Sequence, residues 1–305
     1  MNTIPFKAAD FISDQEVRWC PGCGDYAILK AVRTALAQIG RPPHEVAFVS
    51  GIGCAARFPY YLTTYGFHTI HGRAPAIATG LKLAQPALDV WVVGGDGDFL
   101  SIGGNHLMHA LRRDIDLNLL MLNNAIYGLT KGQASPTSPI GTRSPSTPTG
   151  SMEQPVNAAR LALGAGARFV ARSADTLQDH LPGVLTRAQA NKGASFVEIL
   201  QNCIVYNDGA FGPINDKTAT PDATLRLEHG QPMIFGKERD RCLVFDDATC
   251  SFRAAVIPET GAESIAVHDE GNLARAQALA LVASPMPLGV LYCAATKPAT
   301  TSLPA

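Results

Sequence analysis

The sequence predicts an α/β fold built on a doubly wound, mostly parallel sheet. The main observation is a helical pattern over residues 101–113, which stands between two short apolar runs at 90–93 and 117–122. A helix between two such runs is typical of a βαβ unit with parallel strands. Further strands that alternate with helices extend this unit to a sheet of five strands. These strands are predicted at residues 45–50, 168–171 and 195–200.

Helical patterns between the strands would cover both faces of that sheet. They are predicted at residues 25–39, 74–83, 154–163 and 174–190. Gly40 stands where the first helix would end, because glycine favours the left-handed conformation of a helix cap. Residues 1–19 and 57–67 show no period and are predicted to be irregular. Residues 128–154 are rich in Gly, Pro, Ser and Thr, and so long a loop in a regular domain is typical of an active site.

A change in composition after Asn207 indicates how the chain is organised. Residues 1–207 are predicted to form the main domain and residues 208–305 a C-terminal extension. A chain of 305 residues is long enough to bury one large core with such an appendage. The extension is predicted to hold one helix near residues 272–282 and a partly disordered tail rich in Thr, Ser and Pro.

Composition and charge exclude several classes of function. The formal net charge of −1 lacks the basic excess of a nucleic-acid-binding protein. No uninterrupted apolar run reaches about eighteen residues, so no membrane span is predicted, and the first ten residues do not resemble a signal peptide. Seven cysteines, an odd number, favour a reducing compartment over a disulfide framework. We therefore expect a cytoplasmic protein.

Polar residues follow both strands of the central βαβ unit. Asp96 stands between Gly95 and Gly97 after the first strand, and Asn124 follows the second. Parallel strands end at the same edge of a sheet, so these two side chains should lie close together. Their oxygens suit Mg²⁺ that is shared with phosphate groups, and the glycines let a ligand approach the backbone. The pattern predicts a magnesium–diphosphate site. It does not match the G-x-G-x-x-G fingerprint of dinucleotide-binding proteins, because Leu100 stands where the third glycine should be.

Gly95-Asp96-Gly97 followed by Asn123-Asn124 resembles the signature of thiamine-diphosphate enzymes. The resemblance implies a thiamine-diphosphate-binding fold of the diphosphate-binding type. It also implies that Mg²⁺ is held by Asp96, Asn124 and the main-chain carbonyl of Ile126.

The cysteines predict a second centre. Cys20 and Cys23 form a C-x-x-C pair that could be a redox dithiol, half of a zinc site or half of an iron–sulfur site. No strand pattern precedes the pair, as a thioredoxin-type dithiol would require, and no second tight pair completes a zinc site. Cys54 and Cys203 each follow a predicted strand, at the same sheet edge as Asp96. One pair and two single cysteines suit a [4Fe–4S] cluster, whereas Cys242 and Cys293 are predicted to be buried apolar residues.

Five motifs occur in a fixed order along the chain. They are Trp-Cys-Pro-Gly-Cys-Gly at 19–24, Ser-Gly-Ile-Gly-Cys at 50–54, His-Gly-Arg at 71–73, Gly-Asp-Gly-Asp at 95–98 and Asn-Asn-Ala-Ile-Tyr-Gly-Leu-Thr-Lys-Gly-Gln at 123–133. The set resembles the β subunits of 2-oxoacid:ferredoxin oxidoreductases, in particular the 2-oxoglutarate type, over about residues 15–215.

The resemblance implies roles for individual residues. The implied ligands of one [4Fe–4S] cluster are Cys20, Cys23, Cys54 and Cys203. The implied cofactor contacts are Ile52, Gly53, Cys54, Ala55, His71, Gly97, Asp98, Gly128 and Leu129. We add Gly95 to this set, because a glycine lets the ligand approach the backbone.

The resemblance also implies an activity and partners. The reaction is the coenzyme A-dependent oxidative decarboxylation of 2-oxoglutarate to succinyl-CoA and CO₂, reversible to CO₂ fixation. Electrons would pass one at a time through the cluster to ferredoxin. An α subunit would supply the pyrimidine-binding domain with its activating glutamate, so we expect an αβ or (αβ)₂ assembly and no activity from this chain alone.

Two cations are candidates for substrate recognition. Lys131 follows the predicted magnesium ligands and Arg57 follows the Cys54 turn, and either could pair with the distal carboxylate of 2-oxoglutarate. The alternative for each is a solvated loop charge or a contact with the α subunit. His71 is assigned a role at the cofactor, although a lone histidine is more often structural.

Three rival functions stay open on the sequence. The substrate could be pyruvate or a broad range of 2-oxoacids. A non-redox thiamine decarboxylase or carboligase would share the glycine and asparagine motifs but would not need four cysteines. A non-catalytic protein that holds a cluster would not need Asp96 and Asn124.

Overall fold

A computed structural model describes residues 6–216, 218–257 and 264–294 of the protein. The predicted tail after residue 294 and the first five residues of the predicted irregular arm lie outside the described residues.

The main sheet has eight strands in the order β2-β1-β3-β4-β6-β5-β11-β7. The strands of the main domain are β1 (Val46–Ser50), β2 (Tyr65–His68), β3 (Asp89–Gly95), β4 (Asn118–Asn123), β5 (Phe169–Ala174) and β6 (Ser195–Leu200). All six run parallel to one another. The predicted α/β class with a mostly parallel sheet is confirmed.

Helices cover both faces of this sheet. They are α1 (Asp25–Ile39), α2 (Ala74–Ala84), α3 (Asp96–Leu100), α4 (Gly104–Arg112), α5 (Ala158–Gly164), α6 (Leu181–Ala190), α7 (Gly212–Asn215), α8 (Thr220–Ala223) and α9 (Leu273–Leu279). The bounds of α1 match the predicted helix, and Gly40 caps it in the left-handed conformation at φ 75°.

Two large apolar cores, one on each face of the sheet, result from this arrangement. On one face, Leu107 and Leu111 of α4 pack with Val92 and Leu119 of the strands. On the other face, helices α1 and α6 pack against alternate residues of the same strands, including Leu120. Residues that alternate along each strand therefore serve opposite faces, as a doubly wound sheet requires.

Three local predictions are wrong, each for an identifiable reason. The segment at 57–67 contains β2, whose four residues are all exposed and so show no burial pattern. The helix predicted at 101–113 begins only at Gly104, as α4, because Ser101 leaves the helical conformation at ψ −110°; a separate short helix, α3, precedes it over residues 96–100. The helix predicted at 174–190 begins only at Leu181, because Asp175 accepts a hydrogen bond from the backbone of Asn202.

The chain beyond residue 207 adds strands to the main sheet. Strand β11 (Met286–Cys293) runs antiparallel to β5, and β7 (Thr224–Arg226) pairs with β11, so the predicted count of five strands was too low. Strands β8 (Ile234–Phe235), β9 (Arg241–Asp246) and β10 (Ser251–Val256) form a separate antiparallel sheet. The predicted helix near 272–282 is present as α9. The domain boundary at 207 stays a prediction.

None of the helices in the described ranges is both long and apolar enough to cross a lipid bilayer.

The centre of β4 offers a test of this packing. Leu120 is fully buried between β3 and β6, so Leu120→Ala should lower the free energy of unfolding by about 2–5 kcal/mol through lost contacts and a cavity. Urea unfolding of the full chain, followed by circular dichroism, measures this loss. Leu281→Ala is the control, because Leu281 is exposed and its truncation should change the free energy by less than about 0.5 kcal/mol. Equal effects of the two substitutions would contradict the assigned core.

Candidate functional site

The carboxyl ends of four parallel strands meet at one edge of the sheet. The turn 51–54 follows β1, Asp96 follows β3, Asn124 follows β4 and Gln201 follows β6. Because these strands are neighbours in the sheet, the four segments surround a common space.

That space contains a cavity of about 180 Å³, here called the glycine cavity, whose wall includes Gly53, Gly95, Gly97 and Gly128. All ten residues predicted to contact the cofactor line it. The three predicted magnesium ligands, Asp96, Asn124 and Ile126, line it as well.

Gly97 has to be a glycine for this cavity to form. A Cβ at position 97 would lie 2.1 Å from the Tyr127 ring, whose hydroxyl donates a hydrogen bond to the Gly97 carbonyl. Gly53 adopts φ +112°, which side chains disfavour. The backbone therefore stays close to whatever occupies the cavity.

The Asp96 carboxylate is buried and held by the long loop after β4. Its Oδ2 accepts hydrogen bonds from Ser135 Oγ at 2.5 Å and Thr137 Oγ1 at 2.6 Å. Burial raises the pKa of Asp96, and these bonds, with one from the Gly97 backbone, oppose the rise. A cation beside this carboxylate would favour its charged form.

Asn123 belongs to a buried network rather than to the ligand set. Its Nδ2 donates to Glu198 Oε1 at 2.8 Å, and its Oδ1 lies 2.9 Å from Thr137 Oγ1. Glu198 also pairs with Arg172 Nε at 2.7 Å. The network links β5, β6 and β4 to Asp96 through Thr137.

Asn124 and Ile126 are held in a tight turn. Asn124 Oδ1 accepts from the Ile126 backbone N–H at 3.2 Å, and Ala125 between them adopts φ 54°. Asn207 Nδ2 donates to the Asn124 carbonyl at 2.8 Å. The turn brings Asn124 and Ile126 to the wall of the cavity.

Asp98 ties three segments together at the other side of the cavity. Its Oδ1 accepts hydrogen bonds from the backbone of Ile52 at 3.1 Å, the backbone of Gly72 at 2.8 Å and His71 Nδ1 at 2.6 Å. An acceptor at Nδ1 favours the His71 tautomer that carries its proton there, which leaves Nε2 as an acceptor. Asp98 is thus placed to orient His71 as well as to line the cavity.

A second cavity, of about 190 Å³ and here called the cysteine cavity, is lined by Cys20, Cys23, Cys54 and Cys203. Burial is the main cause that raises the pKa of Cys23, and it raises the pKa of Cys54 to about 11. The thiols also raise one another's pKa values, so they are close enough to interact. Such a site disfavours thiolates that have no positively charged partner. A cationic group bound there would lower the free-energy cost of the charged sulfurs.

Among the residues that the structure describes, no three His, Cys, Asp or Glu side chains are close enough to bind a single metal ion. A [4Fe–4S] cluster takes one cysteine per iron and so needs more widely spaced sulfurs. The four-cysteine wall fits such a cluster better than a zinc ion.

The two cavities share a wall. Asp25, Cys54 and Gln201 line both of them, with Asn124, Gly128 and Leu129 also common to the two. Asp25 is buried, which raises the pKa of its carboxyl to about 7; a hydrogen bond from Cys23 opposes this rise and Asp175 adds to it. A group in one cavity would therefore lie beside a group in the other.

The two candidate substrate cations lie apart. Arg57 lines the cysteine cavity, and its Nη1 donates to the Arg18 carbonyl at 2.6 Å. Lys131 is exposed, adopts φ 77° and lines neither of the two cavities. The structure thus places Arg57 nearer to the cysteines than to the glycine cavity.

Sequence reasoning missed Asp25, Ser135, Thr137, Glu198 and Gln201. Ser135 and Thr137 lie in the loop predicted to serve the active site, and Glu198 is the one charged residue in the apolar run 195–200, so each carried some signal. Nothing in the sequence set Gln201 apart. A larger cavity, of about 750 Å³, lies between residues 176 and 239 and contains none of the predicted site residues.

Known proteins resemble this chain in sequence and in fold. Residues 51–199 match the family described as thiamine pyrophosphate enzyme, C-terminal TPP binding domain. The 2-oxoglutarate oxidoreductase subunit KorB of Mycobacterium tuberculosis is 52% identical over 265 residues, which are 87% of this chain and 70% of that protein. Subunit beta of 2-oxoacid:ferredoxin oxidoreductase 1 of Aeropyrum pernix is 47% identical over 62% of this chain and 60% of its own length.

A solved structure matches nearly the whole chain. It is 2-oxoglutarate:ferredoxin oxidoreductase from Magnetococcus marinus with 2-oxoglutarate, coenzyme A and succinyl-CoA bound. The TM-score is 0.78 at 32% identity, over 97% of this chain and 88% of that one. The predicted thiamine-diphosphate-binding fold is confirmed.

The hydrogen bonds of Asp98 generate a prediction about cofactor affinity. Asp98→Ala removes the acceptor of three donors, each buried or partly buried, and loosens the turns that carry Ile52 and His71. At about 1–3 kcal/mol for unsatisfied groups, the affinity for thiamine diphosphate should fall about 10- to 100-fold. Calorimetric titration of the full chain with the cofactor measures this loss. Asp14→Ala, at an exposed aspartate, is the control, and an unchanged affinity of folded Asp98→Ala would refute the assigned role.

Proposed function

This chain belongs to the β subunits of 2-oxoacid:ferredoxin oxidoreductases, and on that premise we propose that it carries both redox centres of a 2-oxoglutarate-oxidising enzyme. The proposed reaction is the coenzyme A-dependent conversion of 2-oxoglutarate to succinyl-CoA and CO₂, with electrons leaving to ferredoxin. The observation that carries the proposal is the shared wall of the glycine and cysteine cavities. The reverse reaction, CO₂ fixation, would use the same site.

The glycine cavity suits the diphosphate of thiamine diphosphate and its Mg²⁺. Asp96 and Asn124 would supply side-chain oxygens and Ile126 a main-chain carbonyl, while phosphate oxygens complete the coordination. A bound cation would also offset the burial of the Asp96 carboxylate. When bound, thiamine diphosphate supplies the carbanion that attacks the 2-oxo carbon and receives the electrons left by CO₂.

The residues around this cavity orient the reactants. Ile52, Gly53 and Ala55 would contact the cofactor from the turn after β1, and Gly128 and Leu129 from the opposite side. His71, fixed by Asp98, presents an acceptor nitrogen that can take up or return a proton at the cofactor or substrate.

The cysteine cavity suits a [4Fe–4S] cluster on Cys20, Cys23, Cys54 and Cys203. Iron would bind the four sulfurs as thiolates and so offset the cost of deprotonating Cys23 and Cys54, whose pKa values burial raises. Arg57, which favours the charged form of Cys54, would help to stabilise them. Because Cys54 lines both cavities, an electron would have only a short distance to cross.

The site needs an α subunit to be complete. No glutamate lines the described part of the glycine cavity, and the one close to it, Glu198, is paired with Arg172 and Asn123. The activating glutamate would therefore come from the α subunit. Exposed apolar side chains at Ile52, Leu129, Ile70 and Ile102 border the cavity and its His71 turn, and they suit a protein partner. An αβ or (αβ)₂ assembly in the cytoplasm, where a cluster and seven cysteines stay reduced, fits these features.

Substrate choice depends on the cations near the site. Lys131 stands on an exposed loop beside Leu129 and could reach the distal carboxylate of 2-oxoglutarate once the α subunit closes the site. Arg57 is the second candidate, although its place in the cysteine cavity favours a role toward the cluster.

The reaction is tested with the chain purified anaerobically with its α partner. We expect reduction of a viologen dye that depends on both 2-oxoglutarate and coenzyme A, at a much higher kcat/KM than with pyruvate. Equal rates with 2-oxoglutarate and pyruvate would contradict recognition of the distal carboxylate by Lys131 or Arg57. They would still support the proposed class of reaction. No reduction by either substrate, in protein shown to contain iron and thiamine diphosphate, would overturn the proposed reaction.

The cluster is tested by single cysteine substitutions. Cys203→Ser and Cys54→Ser should each lose most of the protein-bound iron and the brown colour, because a thiolate ligand of one iron is missing. Cys250→Ser is the matched control: Cys250 is exposed, lies outside the cysteine cavity, and should keep its full iron content. The cluster assignment fails if Cys203→Ser and Cys54→Ser retain as much iron as Cys250→Ser.

A further inference from the structure

Gln201 stands in the wall between the two cavities. It is the first residue after β6, its side chain is buried, and its backbone N–H donates to the Asn123 carbonyl at 2.8 Å. It lines the glycine cavity and the cysteine cavity alike. Neither the family motifs nor the cofactor contacts implied by them include this residue.

The Gln201 amide donates a hydrogen bond to a cysteine sulfur. Its Nε2 lies 3.3 Å from Cys23 Sγ and 2.7 Å from the Asn202 carbonyl oxygen. A carbonyl oxygen only accepts, so the Asn202 contact identifies the neighbouring amide atom as the nitrogen. With one N–H on Asn202 and the other on Cys23, both donors of the amide are used.

This contact reaches a sulfur that lies in the wall of the cysteine cavity. An N–H aimed at the sulfur stabilises negative charge on it, and hydrogen bonds to cysteine sulfurs are among the factors that set iron–sulfur reduction potentials. A cluster that gains one electron carries one more negative charge, so the donor stabilises the reduced form more than the oxidised form.

We propose that Gln201 is a positioning residue that raises the reduction potential of the cluster through the hydrogen bond from its Nε2–H to Cys23 Sγ. The inference depends on the proposed [4Fe–4S] cluster and goes beyond it, because a cluster could bind without this bond. Its effect is to make the cluster a better acceptor for electrons that arrive from the glycine cavity.

The carbonyl end of the same amide supports a dedicated role. Gln201 Oε1 is buried and has no hydrogen-bond partner among the described residues, which is a cost for a purely structural glutamine. A buried methionine or leucine would fill the space without that cost. Packing alone therefore does not account for an amide at this position.

The test is a redox titration of the anaerobic αβ complex, in which electron paramagnetic resonance follows the reduced cluster. Gln201→Met keeps the length of the side chain and removes both donors, so the midpoint potential should shift to a more negative value. Gln201→Asn should shift the midpoint potential in the same direction, because the shorter amide cannot reach Cys23. This second variant keeps a polar amide at position 201, so it tests the inference even where methionine disturbs folding. Iron content should stay at the wild-type level in both.

Gln178→Met is the matched control. The Gln178 amide donates to the carbonyls of Ala27 and Asp175 and to no cysteine, so its loss should leave the potential unchanged. An unchanged potential in both Gln201→Met and Gln201→Asn, with iron retained, would overturn the inference. A wild-type complex without iron would instead overturn the proposed function, so the two failures are distinguishable.

Discussion

The parallel alignment of β1, β3, β4 and β6 is the constraint on which the site depends. Because these strands are neighbours and run in the same direction, every segment that leaves them reaches the same edge of the sheet. Side chains that are far apart in the sequence meet there, and Asp98 and Thr137 then fix the loops by hydrogen bonds. The two cavities are a consequence of this edge, and so is the wall that they share.

The edge concentrates groups that are costly to ionise in a buried place. Desolvation raises the pKa values of the carboxyl groups of Asp25 and Asp96 and of the thiols of Cys23 and Cys54. Core packing does not need such groups, and each is relieved by a nearby cation. The magnesium ion and the iron–sulfur cluster that we propose would each offset this cost in one of the two cavities.

Much of the fold could be predicted from sequence because buried parallel strands and amphipathic helices leave clear periods. Helix α1 and strand β6 lie where the patterns place them. Strand β2 was missed because it has only four residues and all of them are exposed, and β7 and β11 were not placed in the sheet because their partners are distant in sequence. The residues predicted from the sequence include the four cysteines that line one cavity and the ten cofactor contacts that line the other, and their roles stay predictions. Ser135, Thr137 and Gln201 were missed because their roles arise from contacts between segments.

The central claim is that this chain holds iron and thiamine diphosphate on either side of one wall. Diffraction from crystals of the anaerobic αβ complex, recorded on both sides of the iron absorption edge, tests it directly. The account predicts an anomalous iron peak enclosed by Cys20, Cys23, Cys54 and Cys203, with the cofactor diphosphate in the glycine cavity beside Asp96. An iron peak elsewhere in the complex, with these four sulfurs unligated, would contradict the account.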